Sequence, residues 1–408
     1  MTREAIPSQV RPRLTPELRR WREAVFTIFG LSGFAFATWA SRVPAVRDLL
    51  HASTQEMGFL ILGIAAGAVS GLLGSSHIVA RLGATRTILV CYSTASVALF
   101  VLGPITAFIP SFAAMFLVLA VFGAGGSIVD VAMNLSGAAN ERAIGRTLMP
   151  LFHASFSLGT VLGAALGSLL EALRVPLGIH FSTIGLLGLA TTVVLVRFLQ
   201  PAEDPAHEEH AAGWRSRLAV WRSGRVLLIG LIILGMAFAE GSANDWLSLA
   251  MVDGHGVSNA AGAAIFGVFV AAMTAGRIGG VLLLNRYGRV PVLRASAGLA
   301  IVGLVLVIVV PNVPIAVVGV VLWGLGASLG FPVGMSAAAD DPRTATAAVS
   351  AVATIGYCAF LVGPPLIGFL GQQFTLLTAL LVVLVLILVA GLCSPAAREP
   401  ALRAAREG

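Results

Sequence analysis

Apolar stretches about 20 residues long recur from one end of this chain to the other, and nothing else in the sequence narrows its fold as much. A helix of that length crosses the ~30 Å hydrocarbon layer of a bilayer. With soft ends the stretches are 23–44, 55–79, 87–108, 112–138, 148–172, 178–199, 225–250, 259–284, 292–311, 314–338, 345–371 and 374–394, twelve in all. Only 11% of the 408 residues are charged and 57% are hydrophobic, whereas a soluble domain carries about 25% charged residues. A soluble protein with a large core is thereby excluded. The stretches do not alternate, which excludes a membrane β-barrel. The expected fold class is an all-α membrane protein of twelve transmembrane helices, rich in the small residues that let helices approach in lipid. The N-terminus opens on a polar tail, Met1–Arg20, so no cleavable signal peptide is expected.

Orientation rests on arginine, because the chain has no lysine. With the N-terminus in the cytoplasm, cytoplasmic segments hold Arg3, Arg11, Arg13, Arg19, Arg20 and Arg22, then Arg81, Arg86, Arg142 and Arg146, a cluster from Arg197 to Arg225, and later Arg286, Arg289, Arg294, Arg343 and Arg398. The opposite face holds only Arg42, Arg47 and Arg174, and Arg277 lies within a span. This bias predicts that both termini are cytoplasmic. The same arginines account for the formal charge of +7, and their spread over loops points to anionic lipid headgroups rather than nucleic acid. Cys91, Cys358 and Cys393 fall within spans, with neither a disulfide framework nor metal-ligand spacing. No cofactor and no metal is expected, and the chain is expected to act as a monomer.

The sequence is also doubled. "GLLGSSHIVARLGATR" (71–86) aligns with "GRIGGVLLLNRYGRVP" (276–291) at a shift of 205, matching Gly71, Gly74, Arg81 and Gly83 to Gly276, Gly279, Arg286 and Gly288. "GFAFAT" (33–38) meets "GMAFAE" (235–240) at a shift of 202. The expected organisation is a cytoplasmic tail (1–20), a six-helix bundle (21–199), a polar cytoplasmic linker (200–224), a second six-helix bundle (225–394) and a cytoplasmic tail (395–408). Two parallel halves of this kind are a transporter architecture, with the solute site between them at mid-membrane.

Twelve spans, duplicated halves and a basic turn after the second and eighth spans resemble the major facilitator superfamily over essentially the full length. The family's Gly-x-x-x-Asp-Arg-x-Gly-x-Arg turn is represented by Arg81, Gly83 and Arg86, and again by Arg286, Gly288 and Arg289. The acidic position holds Ala80 in one copy and Asn285 in the other. The stretches "TWASRVP" (38–44), "DVAMN" (130–134), "AEGSANDWLSL" (239–249), "AMTAGRIGG" (272–280) and "GYCAFLVGPPLIG" (356–368) resemble a bacterial subgroup near the fucose-permease-like and rhizopine-transport-like proteins. The resemblance implies the major facilitator fold and alternating access, with the two basic turns as gating elements.

Polar residues inside the spans mark the expected site. Helical spacing places Ser127, Asp130 and Asn134 on one face, and an acid in a span is expected to face a wet cavity rather than lipid. A carboxylate withdrawn from water takes up a proton more readily, so Asp130 is a candidate for proton coupling; a purely structural hydrogen-bonding role is the alternative. Glu240 and Asn244 repeat the pattern, with Glu240 either a coupling group or an ion-pair partner of Arg42 or Arg277. Asp245 reads as an outer-gate charge. Trp39 is a belt residue or a stacking platform, and Arg42, three residues on, a snorkelling residue near the outer end. His153 is a proton relay to Asp130 or a hydrated end residue. Arg277 is expected to pair with Asp340 and Asp341, or else with Asp130, as a gate. Trp323, Thr354 and Tyr357 are cavity candidates or packing residues.

"GASLG" (326–330) matches a nucleophile elbow, but the motif needs a strand–turn–helix setting and here lies in a membrane span, so no enzyme is expected. The function expected is secondary transport by alternating access, probing a sugar-like or polyol-like solute and a proton as cargo; a proton-driven multidrug or metabolite exporter is the alternative. A receptor and a passive channel fit less well, since short tails carry no signalling domain and duplicated halves suit rocking.

Overall fold

Helix boundaries follow local chemistry. Ser53 and Glu56 close a reciprocal capping box, Ser111, Ser258 and Asn312 each accept a first-turn amide, and Gly145 and Gly256 end their helices with φ of 69° and 67°. The structure, a computed structural model, describes residues 15–145, 148–200, 220–341 and 344–399. Most of the expected linker and the outer parts of both tails lie outside the described residues.

The first half comprises α1 (Pro16–Ala40), α2 (Val43–Leu50), α3 (Thr54–Thr87), α4 (Ser93–Phe108), α5 (Phe112–Ile144), α6 (Met149–Ala172) and α7 (Leu177–Leu195). The second comprises α8 (Gly224–His255), α9 (Asn259–Tyr287), α10 (Arg289–Val309), α11 (Val313–Ala327), α12 (Gly330–Ala338), α13 (Ala345–Gln373), α14 (Leu376–Ala379) and α15 (Leu381–Cys393). Among the described residues, eleven helical segments are long and apolar enough to cross a membrane, one of them a 55-residue run over Thr54–Phe108. At 1.5 Å per residue that run would measure about 80 Å if straight. Gly83, with φ 72° and ψ 159°, breaks it, a conformation open to glycine. The run is therefore two spans, and the spans number twelve.

Within the first half α1 packs on α6, α3 on α5 and α4 on α7; within the second α8 packs on α13 and α15, and α11 on α9 and α10. The halves meet through α3 on α13 and α6 on α9. These contacts concentrate at the end of the bundle away from the chain termini. There a Cβ on Gly58 would stand 2.7 Å from the Pro364 carbonyl oxygen, so only glycine admits this approach. One apolar core runs across both halves at this far end, from Met57 and Leu60 to Trp246 and Ile367. Toward the terminal end the first half keeps a core of its own, around Trp21, Phe29 and Phe152. The halves are sealed at the far end and parted at the terminal end.

Candidate functional site

Four polar contacts make the far-end seal. Arg47 pairs with Asp253, Asn259 donates to the Asp48 carboxylate at 2.8 Å, the Thr54 amide donates to Gln372 at 3.1 Å, and the Ser168 hydroxyl donates to the Ala260 carbonyl at 2.8 Å. None of these residues stood out in the sequence, because each lies at a span end where a hydrated polar residue is ordinary.

Between the halves lies a cavity of about 440 Å³. Asp130 and Ser127 enter it from α5, and Asn244 and Asp245 from α8. Asp130 is exposed to it and has one side-chain partner, the Asn134 amide, which donates to the Asp130 carbonyl at 2.8 Å and to its carboxylate at 3.3 Å. The i, i+4 spacing brings the amide onto the carboxylate. Ser127 donates to the Ala124 carbonyl at 3.1 Å. Tyr357, on α13, comes within electrostatic reach of Asp130 from the opposite half. The rest of the lining is largely apolar and includes Phe34, Phe36, Phe122, Phe156 and Phe360, an aromatic share that a polyol site does not require.

Asp245 belongs to this cavity, not to the far-end seal expected for it. Asn244 and Asp245 are neighbours about 100° apart around α8, and both reach the lining. The Asp245 carboxylate has no hydrogen-bond or ion-pair partner among the described residues.

Glu240 and Arg277 form an ion pair at 2.9 Å between α8 and α9. Arg277 is thus not the partner of Asp340, Asp341 or Asp130; α9 packs on α8, and the guanidinium meets the acid at matching depth. Asp340 is engaged elsewhere, by Arg225 at 2.7 Å and Arg289 at 2.8 Å. Asp341 is exposed beside it. Arg289 also donates to the Ser336 hydroxyl at 2.9 Å, and its backbone amide donates to Glu399 at 2.7 Å. Carboxylates from the bend after α12 and from the C-terminal segment therefore hold the second basic turn, where the local acidic position is Asn285. Arg286 lies 5.4 Å from the Tyr287 ring centre. In the first basic turn Arg81 and Arg86 are exposed.

Other expected site residues lie elsewhere. Trp39 is buried in the first half against Phe181, with ring centres 6.4 Å apart, and serves neither as a belt residue nor as a cavity platform. The helix ends at Ala40 and turns through Ser41 and Arg42, so Trp39 and Arg42 do not share a helical face. Arg42 is buried rather than snorkelling: it donates to the Val175 carbonyl at 2.9 Å and pairs with Glu171 at 3.0 Å, tying the turn to α6. Trp323 is fully buried, edge-on to Phe269 at 5.5 Å. Thr354 donates to its own helix at Ser350, at 2.8 Å. His153 packs edge-on against Phe29 at 5.2 Å and lies within electrostatic reach of Arg277, without a contact to Asp130.

The chain matches known proteins along nearly its whole length. The family profile described as Major Facilitator Superfamily matches residues 25–283 and 246–407. An uncharacterized transporter, y4wD, of Sinorhizobium fredii is 32% identical over 90% of this chain and 94% of its own length. An uncharacterized MFS-type transporter of Yersinia pestis is 31% identical over 86% of this chain and 89% of its own. Among solved structures, a bacterial homologue of the human lysosomal transporter Spinster, inward-facing and unoccupied, superposes with a TM-score of 0.76 at 14% identity, covering 95% of this chain and 99% of that one. The transporter FucP in its outward conformation superposes with a TM-score of 0.61 at 14% identity, covering 92% and 100%. The twin six-span halves, the cavity between them and these matches together establish that the chain belongs to the Major Facilitator Superfamily.

Proposed function

We propose that this protein is a proton-coupled secondary transporter that moves a small polar organic solute through the central cavity by alternating access. The observation that carries the reading is Asp130: a carboxylate at mid-span, open to a cavity between two halves that are sealed at one end only. An intramembrane acid held by a neutral amide can exchange a proton with water without breaking an ion pair. Asn134, Ser127, Asn244 and Tyr357 are the solute-facing polar groups, and the Glu240–Arg277 pair stiffens the second half beside them. FucP is a fucose:proton symporter, which supports proton coupling and a sugar-like or polyol-like cargo as the starting class.

Arginine bias supports placing the terminal end on the cytoplasmic side and the bacterial relatives support an inner membrane; on this reading the protein is in an inward-open state. The far-end contacts of Arg47, Asp48, Thr54 and Ser168 are then the periplasmic gate, and they must break when the carrier turns outward. Arg81, Arg86, Arg286 and Arg289, with Asp340 and Asp341, lie at the cytoplasmic gate. The test is solute flux in proteoliposomes with and without an imposed pH gradient, read together with an entrapped pH dye. Accumulation that follows the gradient supports the reading, and flux indifferent to it overturns proton coupling.

A further inference from the structure

Among the described residues the cavity holds two acids, one from each half, and its lining carries no arginine, lysine or histidine. Asp130 is bonded only to the neutral Asn134 side chain, and Asp245 has no partner among the described residues. Where an acid at this depth is meant to be neutralised by the protein, the chain supplies the cation, as Arg277 does for Glu240. In the cavity it supplies none. Uncompensated carboxylates in an oily setting are costly, and they are neutralised either by a proton or by a cation that the solute brings.

The rest of the lining also points to a ligand. Tyr92 and Ser32 meet at its edge, with the Tyr92 hydroxyl sealed from the cavity. The remaining surface is aromatic, with five phenylalanines from both halves, a surface that accepts an apolar body and attracts a cation to its ring faces. A neutral polyol would leave both acids unmatched and set its hydroxyls against phenyl rings.

We infer that the transported solute carries a protonated amine, held between Asp130 and Asp245, with an apolar portion against the phenylalanines. This rests on the transport reading above, keeps its small polar organic solute, and replaces the sugar-like or polyol-like starting class with an amine. Asp245 is then a solute-binding residue.

The test uses the full-length protein in lipid nanodiscs and calorimetric titration with a matched series: phenethylamine, the neutral 2-phenylethanol, the anion 3-phenylpropionate, and mannitol. Phenethylamine is expected to bind about tenfold or more tightly than 2-phenylethanol, the selectivity of a charge-assisted hydrogen bond over a neutral one. D245N is expected to erase that selectivity, and D245E to retain most of it; an unchanged unfolding temperature separates this from misfolding. Equal affinity for the amine and the alcohol overturns the inference, as does binding of mannitol without the amine, or amine binding unaffected in D245N. Proton-driven flux of the same protein in proteoliposomes is measured separately, so a failed charge assignment is distinguishable from a failed transport reading.

Discussion

Glu240 accepts a hydrogen bond from Arg277 at 2.9 Å, and the two residues sit on adjacent spans of the same half. The pair is internal to the second half, so it need not break as the halves rock, whereas the Arg47–Asp253 contact joins the halves and must.

Replacing Glu240 by Gln leaves the Arg277 guanidinium without its carboxylate. We expect a stability loss of about 1–3 kcal/mol, the cost of orphaning a partly buried charged group, measured by thermal unfolding in detergent. The double variant E240Q/R277Q is expected to recover much of it, since removing both partners leaves no unmatched charge.

Asp253→Ala is expected to weaken the far-end seal by about 0.2–1 kcal/mol, the range for an exposed ion pair. That free energy shifts the ratio of open to closed far ends by up to about fivefold. Spin labels at Ala52 and Ala261 report it as a larger long-distance population, and added salt is expected to reproduce the shift in the unsubstituted gate.

Gly58→Val places a side chain where the Pro364 carbonyl stands 2.7 Å from a Cβ. Far-end closure is expected to fail, with flux lost and the outward-open population raised while helix content by circular dichroism is kept.

Asp340→Asn removes the carboxylate shared by Arg225 and Arg289. A loss of about 1–3 kcal/mol is expected, together with faster amide exchange in the turn at Gly288.

The architecture was legible in the sequence because hydropathy, glycine content and the 205-residue repeat are carried by residue type alone. Asp130 and Asn134 were legible for the same reason: i, i+4 spacing fixes their contact once the helix is given. Partner choice was not. Depth favours Asp340 and Asp341, or else Asp130, for Arg277, although Glu240 has Arg277 among its expected partners, and the packing of α9 on α8 selects Glu240. Trp39 was misplaced because the turn at Ser41 and Arg42 ends a helix that hydropathy continues through. Asp245 reads from the sequence as an outer-gate or interface charge because it lies toward the outer end of its span, while the cavity extends to that depth and receives it. The latch on Arg289 comes from Asp340 and Glu399, far away in sequence, and the local motif gives no sign of either.

Asp130 titrating in water that reaches it from one side at a time is the core of the mechanism, and Asp130→Asn tests it most directly. In proteoliposomes holding an entrapped pH dye, the variant is expected to fold normally and to lose both gradient-driven accumulation and solute-induced proton movement. Proton movement in D130N equal to that of the unsubstituted protein would contradict the account.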